Sequence, residues 1–275
     1  MLKIILATCI NIAVAFSSDN IKILAEDLPP FSYSDSNRDI TGIAVEIVKE
    51  LSSKFNHSGN IDLSSWNRAY NLVKNNDGYV LFPMSRNAKR ENLFKWVGPL
   101  FNSTAYLYKL KSSDLNINSF EDAKKVEAIG TVKNYASHQL LQKEGFNNLI
   151  AVGHTKDVIR ALVFGRADLI DIGDVFLPFR AKQAGVDYTL LERTNVKVLE
   201  QFQYLAFSKN TPNYIINKWQ KNLDELKQNG TYNKIFQSHL YKAILYYKLM
   251  DEVEASKFSI DFINKLEFVN QKERQ

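Results

Sequence analysis

The amino-acid sequence predicts a layered α/β protein, and three observations support this class. Short β-like runs alternate with amphipathic helical patterns from residue 19 onward, which is typical of sheets covered by helices. The chain has 275 residues, 45% of them hydrophobic and 24% charged, so it can bury a substantial core. No Pro-, Gly- or Ser-rich linker divides it, which leaves either one domain or two lobes joined by crossing strands.

Residues 1–17 have the layout of a secretory signal peptide. Lys3 supplies the positive start, an apolar run follows, and the small residues Ala13 and Ala15 precede a polar segment. The apolar run is too short to span a bilayer comfortably. We therefore expect cleavage near residue 17 and export to the periplasm, and the single cysteine, Cys9, would leave with the peptide. The alternative for this segment is a buried N-terminal strand or an anchor helix.

The predicted strands are short apolar runs, and the predicted helices carry their apolar residues on one face. The strands, in chain order, are 21–25, 79–84, 105–110, 126–131, 168–172 and 203–207. The first helix, 42–55, places Ile43, Ile47 and Leu51 on one face, as expected for a helix that packs on a sheet.

The later helices are predicted from their start and stop signals. Thr155 is the predicted N-cap of helix 157–164. Thr211 is the predicted N-cap of helix 212–229, and Gly230 is its stop. Two further helical patterns follow, one from residue 231 onward and one at 258–268.

Composition and motif content exclude several classes of function. Lys and Arg total 35 against 30 Asp and Glu, a net charge of +5, but no run of five basic residues occurs. No nucleic-acid partner is therefore predicted. One cysteine and four widely separated histidines build neither a disulfide framework nor a metal site. Phosphate-binding glycine loops and nucleophile elbows are missing, so the sequence predicts no catalytic residue, cofactor or metal.

Aromatic and arginine residues beside turns are the candidate binding residues. Phe31 follows two prolines after the first strand. Trp66 and Arg68 begin a predicted helix, while Ser85 and Arg90 follow a strand, where an α/β sheet usually holds its ligand. An arginine there can bind a carboxylate through two parallel hydrogen bonds, and an aromatic ring can supply apolar contact.

Each candidate also has a purely structural explanation. Phe31 and Trp66 could be core residues, and Arg90 could pair with Glu91 on the surface, as most arginines do. Three aspartates in 168–174 are spaced like the start of a calcium loop. The apolar residues between them favour a strand instead.

Six stretches of the chain follow the order and spacing of one known family. They are 30–33 (PFSY) with 41–47 (TGIAVEI), 66–69 (WNRA), 85–90 (SRNAKR) with 94–100 (FKWVGPL), 165–168 (GRAD), 205–209 (LAFSK) and 226–231 (LKQNGT). Through them the chain resembles the extracellular solute-binding proteins of family 3, the polar amino-acid receptors of ABC importers. The resemblance extends from about residue 21 to residue 240.

The resemblance implies a periplasmic-binding-protein-like fold of type II. In this fold two α/β lobes, each a central sheet flanked by helices, are joined by two crossing strands and close over a ligand. The expected crossings are 105–110 and 203–207. Lobe 1 would comprise 18–107 and 205–240, lobe 2 would comprise 108–204, and 241–275 would be a C-terminal helical extension.

The resemblance also implies roles for individual residues. Arg90 matches the arginine that binds the ligand's carboxylate, Ser85 matches a hydroxyl position, and Trp66 matches an aromatic residue that packs on the ligand. Asn134 and Tyr135 match a turn whose backbone N–H groups help bind the same carboxylate. Asn134 stands where the family more often has glycine, and it can adopt the same left-handed conformation.

Two departures from the family concern the rest of the ligand. The family's aspartate for the ligand ammonium falls by simple counting on Gly173, and a one-residue bulge would bring Asp174 into its place. Leu28 stands where many relatives have a second aromatic residue. The expected ligand is therefore an amino acid or a related carboxylate.

The expected function is that of an exported solute receptor without catalytic activity. It would bind its small-molecule ligand as a monomer and deliver it to an ABC permease in the membrane. Two alternatives are a ligand-sensing module for a membrane partner and a cyclohexadienyl-dehydratase-like enzyme. The enzyme would need acid–base groups in the cleft, for which Glu26, Asp27 and Asp174 are candidates.

Overall fold

A computed structural model describes residues 21–55 and 57–272, with side chains as far as residue 262. The predicted signal peptide lies outside the described residues. The strands are β1 (Lys22–Glu26), β2 (Tyr33–Ser34), β3 (Ile40–Thr41), β4 (Ile61–Ser64), β5 (Tyr79–Ser85), β6 (Phe94–Leu110), β7 (Ile129–Val132), β8 (Leu149–Val152), β9 (Leu169–Gly173) and β10 (Leu191–Ser208). The helices are α1 (Ile43–Ser53), α2 (Trp66–Asn75), α3 (Phe120–Ala123), α4 (Ala136–Lys143), α5 (Thr155–Val163), α6 (Leu177–Ala184), α7 (Asn213–Gln228), α8 (Thr231–Tyr246) and α9 (Glu252–Lys272).

A mixed sheet of eight strands has the order β4-β1-β5-β10-β6-β9-β7-β8. On one side β1 lies parallel to β4 and β5, and on the other side β7 lies parallel to β8 and β9. We call these sides the first and the second lobe. Separate hydrophobic clusters cover the sheet in each lobe. The predicted α/β class is therefore confirmed.

The strands β6 and β10 pass from one lobe to the other and run antiparallel to each other. They contain both segments predicted to cross, but they are much longer, with 17 and 18 residues. The sequence pattern does not predict the full length of β6, because it contains Gly98 and Pro99, and both residue types usually interrupt strands. In the structure they lie in a bulge, where residues 98–100 stand opposite Tyr204 alone. The exact lobe boundaries stay a prediction.

The sequence pattern does not predict β4 and β8, which are the two outermost strands of the sheet. Each has only four residues. In β8 none of the four is fully buried, so the alternation of apolar and polar residues that marks a half-buried strand is missing.

Two predicted N-caps are wrong. His154 is the N-cap of α5, and Thr155 is the first helical residue. Pro212, rather than Thr211, is the N-cap of α7. Both threonines are buried. The predicted end of α7 is confirmed, because Gly230 follows it with a left-handed φ of 77°.

The C-terminal helix α9 packs on α8 beside the core of the first lobe. Ala255 and Ser259 of α9 are fully buried, and the ring of Phe262 stacks on Phe236 with centroids 5.8 Å apart. The predicted helical pattern at 258–268 therefore belongs to a longer helix that starts at Glu252. None of the described helices is long and apolar enough to cross a membrane.

Candidate functional site

A cavity of about 60 Å³ lies between the two lobes, at the ends of their parallel strands. Glu26 ends β1 and Ser85 ends β5 in the first lobe, while Val132 ends β7 and Gly173 ends β9 in the second. Ligands of α/β proteins bind outside the carboxyl ends of the strands. The crossing strands complete the wall with Ser103, Ala105, Gln201 and Gln203.

Arg90 is a buried cation in the wall of this cavity. It is 1% exposed, and its guanidinium contacts both lobes. Nη1 donates to the carbonyl oxygen of Ser85 at 3.0 Å, and Nη2 donates to that of Asn134 at 2.9 Å. Burial lowers the pKa of Arg90 to about 10, so the side chain remains a cation at neutral pH. Its Nε has no hydrogen-bond partner among the described residues.

Two aromatic rings flank the Arg90 guanidinium. Its central carbon lies 5.1 Å from the ring centre of Trp66 and 5.5 Å from that of Tyr70, which is a cation–π geometry. Trp66 is 4% exposed and lines the cavity. Its indole Nε1 has no hydrogen-bond partner among the described residues.

Arg68 belongs to the same helix as Trp66 but does not reach the cavity. Its side chain is exposed, and it is not part of the cavity wall. Two positions along an α-helix correspond to a rotation of about 200°, so the two side chains point to opposite sides of α2. The structure therefore does not bring Arg68 to the cavity, and a ligand contact of Arg68 stays an untested prediction.

Ser85 is held by a polar network that includes the crossing strands. Gln203 Nε2 donates to Ser85 Oγ at 3.1 Å and to Ser103 Oγ at 3.0 Å. All three residues are buried and line the cavity. The sequence analysis missed Gln203, because a polar residue in a strand pattern is usually taken to face solvent.

The turn at Asn134 and Tyr135 reaches across the cleft. Asn134 has a φ of 66°, so its predicted left-handed conformation is confirmed. Its side-chain Nδ2 donates to Oδ1 of Asn67 in the first lobe at 2.8 Å. The Asn134 side chain is exposed and outside the cavity wall, whereas Tyr135 and the first residue of α4, Ala136, line it. Asn134 therefore contributes its backbone and not its amide to the site.

Asp171 is a buried carboxylate in the cavity wall of the second lobe. It is 5% exposed, and its Oδ2 accepts a hydrogen bond from Thr131 Oγ1 at 3.2 Å. Its Oδ1 has no partner within the described part of the chain. Burial raises the pKa of Asp171 to about 6, against the effect of hydrogen bonds from Ser137 and Thr131. The sequence analysis treated Asp171 only as a strand residue, although a carboxylate inside an apolar strand was an available signal.

Asp174, the predicted partner of the ligand ammonium, lies outside the cavity wall. The strand β9 pairs with β6 without a bulge as far as Gly173. Asp174 then turns away, with Oδ1 accepting from the backbone N–H of Val175 at 2.8 Å and Oδ2 lying 3.9 Å from Arg193 Nη1. Gly173 itself has no room for a side chain, because a Cβ would lie 2.6 Å from the Phe176 ring. The structure therefore does not bring Asp174 to the cavity, and its role toward a ligand ammonium stays an untested prediction.

Phe31 lies in the core behind the cavity wall. Its ring is fully buried and stacks on Phe101 with centroids 3.6 Å apart. The start of α1 holds its backbone, because the N–H of Ala44 donates to the Phe31 carbonyl oxygen at 2.9 Å. Gly42 permits this approach, since a Cβ there would lie 2.6 Å from the same carbonyl group. Phe31 is therefore not part of the cavity wall, which Leu28 lines instead, and a ligand contact of Phe31 stays an untested prediction.

Glu26 is a second buried carboxyl group in the cavity wall, and it connects the lobes. The Tyr135 hydroxyl donates to Glu26 Oε1 at 2.5 Å. Burial raises the pKa of Glu26 to about 7, although Arg180 and the Tyr135 hydrogen bond act in the opposite direction. Arg180 of the second lobe also donates to the carbonyl oxygen of Asp27 in the first. Two polar contacts thus close this side of the cleft.

The cavity combines an arginine with an unpartnered donor and an aspartate with an unpartnered acceptor. Buried polar groups of this kind normally have partners, so the arrangement suits a small ligand that has an anionic and a hydrogen-donating group. The described residues contain no group of three or more side chains that could hold a metal ion.

Comparisons with known proteins agree with this architecture. A histidine kinase sensor domain with similarity to periplasmic binding proteins has a TM-score of 0.73 and 18% identity, over 81% of this chain and 97% of that chain. An ancestral arginine-binding protein bound to glutamine has a TM-score of 0.68 and 19% identity, over 80% and 97%. The GluR0 ligand-binding core from Nostoc punctiforme in complex with L-glutamate has a TM-score of 0.68 and 19% identity, over 79% and 98%.

These likenesses confirm the predicted periplasmic-binding-protein-like fold. At such low identity they show the fold alone, and no curated protein matches the sequence. The family itself is shown by a family model that matches residues 21–242, most of the chain. The chain belongs to the bacterial extracellular solute-binding proteins, family 3.

Proposed function

We propose that the protein is an exported receptor that captures an amino acid or a related small carboxylate in the interlobe cavity, for delivery to an ABC importer. The observation that carries this proposal is the buried pair of Arg90 and Asp171. Each lines the same cavity and keeps one polar atom unpartnered among the described residues. A ligand with a carboxylate and an ammonium group would satisfy both, and leaving buried charges unpaired is costly.

Other groups of the wall complete the proposed contacts. Arg90 binds the ligand carboxylate, and Asp171 takes the ammonium role that the sequence assigns to Asp174. Trp66 supplies an apolar surface, and Ser85 supplies a hydroxyl. The start of α4 behind Tyr135 adds backbone donors and a positive helix end.

Export and delivery are the less direct part of the proposal. The match to the family model begins at residue 21, just after the predicted signal peptide, which supports removal of that peptide. Lobe closure over a ligand changes the outer surface of a two-lobed receptor, and a permease can recognise the loaded form by this change.

Replacing Arg90 tests the proposal at its strongest point. We expect Arg90→Ala to weaken binding by about 2 to 5 kcal/mol, which is about 30-fold to several thousand-fold, because the ligand carboxylate stays desolvated without a partner. Arg90→Lys keeps the charge but lacks the planar fork, so it should recover only part of the affinity. Isothermal titration calorimetry against a panel of amino acids measures both effects.

Arg86→Ala is the matched control for this experiment. Arg86 lies in the same segment, pairs with Glu91 at 2.6 Å, and is 40% exposed outside the cavity wall. Its loss should leave affinity unchanged. Thermal unfolding shows whether Arg90→Ala is folded. If the folded variant binds the ligand with unaltered affinity, Arg90 does not bind the ligand carboxylate.

One observation favours the enzyme as a second candidate. Glu26 is a buried carboxyl in the cavity wall with a pKa of about 7, and such a group can act as a general acid or base at neutral pH. If the purified protein turned over prephenate or arogenate and Glu26→Gln lost this activity, the proposed function would be that of a dehydratase and not of a receptor. Without turnover, the receptor remains the better explanation.

A further inference from the structure

The side chain of Tyr135 lies across the interlobe cavity. It belongs to the second lobe, yet its ring stands edge-on to Trp66 of the first lobe, with centroids 5.6 Å apart and an angle of 81°. Its hydroxyl donates to Glu26 Oε1, also of the first lobe, at 2.5 Å. Both the ring and the hydroxyl of Tyr135 are thus held by the opposite wall.

The space left beside this ring is small. At about 10 to 15 Å³ for each water, a cavity of about 60 Å³ holds about four to six waters. Three other apolar residues of the wall, Leu28, Pro83 and Phe176, are buried. Phe176 is also fixed against Gly173. Apart from Trp66, which the proposed function uses for ligand contact, and Phe176, which is packed on Gly173, Tyr135 is the large aromatic side chain of the cavity wall.

We propose that Tyr135 restricts the ligand to small molecules, by filling the space beside Trp66 where a longer ligand side chain would lie. This inference rests on the proposed function and adds a size limit to it. With its carboxylate on Arg90, an amino acid the size of glycine, alanine or serine fits beside the Tyr135 ring. Glutamine and arginine would have to displace the ring and break its hydrogen bond to Glu26.

Substitutions at position 135 separate the ring from the hydroxyl. Tyr135→Ser removes the ring, and the variant should fold because residue 135 is the N-cap of α4, a position where serine is favoured. Tyr135→Phe keeps the ring and loses the hydroxyl, with its hydrogen bond to Glu26 and its contact with Thr155 Oγ1. Tyr106→Ser is the matched control, since Tyr106 is a half-buried tyrosine of the crossing strand β6 that pairs with β9 and lies outside the cavity wall.

Titration calorimetry with glycine, alanine, serine, glutamine and arginine gives the test. The wild type, Tyr135→Phe and Tyr106→Ser should bind the three small amino acids at least about tenfold more tightly than the two large ones. In Tyr135→Ser the affinity for glutamine or arginine should rise by at least about tenfold. Should Tyr135→Ser not fold, Tyr135→Thr removes the same ring.

Two outcomes would overturn the inference and point to different errors. Equal binding of small and large amino acids by the wild type, or an unchanged preference after loss of the ring, refutes the size limit alone. Absence of binding of all five amino acids by the wild type and every folded variant refutes the amino-acid receptor in the proposed function, and the size limit with it.

Discussion

Arg90 and Asp171 are both at least nine-tenths buried, and each keeps a polar atom without a partner among the described residues. Their opposite charges reach the same cavity from opposite lobes. Asp174, which the sequence favours, is half-buried beside Arg193 instead. At the scale of single residues, the structure therefore puts Asp171 in the cavity wall and leaves Asp174 outside it.

The two aspartates form a matched pair for an experiment. Asp171→Asn keeps the shape but removes the charge, so binding of alanine should weaken by about 1.5 to 3 kcal/mol, the usual value of a hydrogen bond to a charged group. Binding of propionate, which lacks the amino group, should change little. Asp174→Asn should affect neither ligand. If calorimetry shows instead that Asp174→Asn weakens the binding of alanine and Asp171→Asn does not, Asp174 is the residue that binds the ammonium group.

At the scale of elements, the helix α9 lies beyond residue 242, where the match to the family model ends. It covers α8 through the stacked rings of Phe262 and Phe236 and through the buried Ala255. No described residue of α9 lines the interlobe cavity. We therefore expect α9 to contribute to stability and not to ligand binding.

Phe262→Ala should lower the free energy of unfolding by about 1 to 3 kcal/mol, because apolar area at the ring stack is lost. Val253→Ala on the same helix is the control, since Val253 is 80% exposed and its truncation should change stability by less than about 0.5 kcal/mol. Urea denaturation measures both variants. An equal effect of the two, or a loss of ligand affinity in folded Phe262→Ala, would contradict this division of roles.

At the scale of the whole molecule, contacts across the cleft hold the two lobes together. Arg90 binds the backbone of Asn134, and Tyr135 binds Glu26. Glu26 therefore belongs both to the cavity wall and to the contact between lobes, so its protonation is coupled to the stability of the closed molecule.

The pKa of Glu26 predicts how stability depends on pH. Burial raises this pKa from 4.5 to about 7, so the folded protein binds the proton more tightly than the unfolded chain. The contribution to stability is fully present below about pH 4.5 and is lost as pH rises through about 7, by up to about 3 kcal/mol. Urea denaturation between pH 5 and pH 8 should show this fall in the wild type relative to Glu26→Gln. If the free energies of unfolding of the two proteins changed in parallel with pH, this role of Glu26 would be contradicted.

Much of the fold follows from local sequence patterns. Alternating strands and helices predict the α/β class, ordered motifs predict the family, and the left-handed conformation of Asn134 follows from its place in the turn. The same motifs bring Trp66, Ser85, Arg90 and Tyr135 to one cavity. Their roles in binding stay predictions, but their common location is in the structure.

The sequence by itself determined the fold class, the family and the arginine at the cavity, because periodicity and motif spacing are local properties of the chain. Only the tertiary structure decided that Asp171 faces the cavity while Asp174 and Arg68 do not, and that Phe31 is in the core. These outcomes depend on the register of β9 against β6 and on the packing of the Phe31 turn against α1. Contacts between segments distant along the chain set both, and no local pattern encodes them.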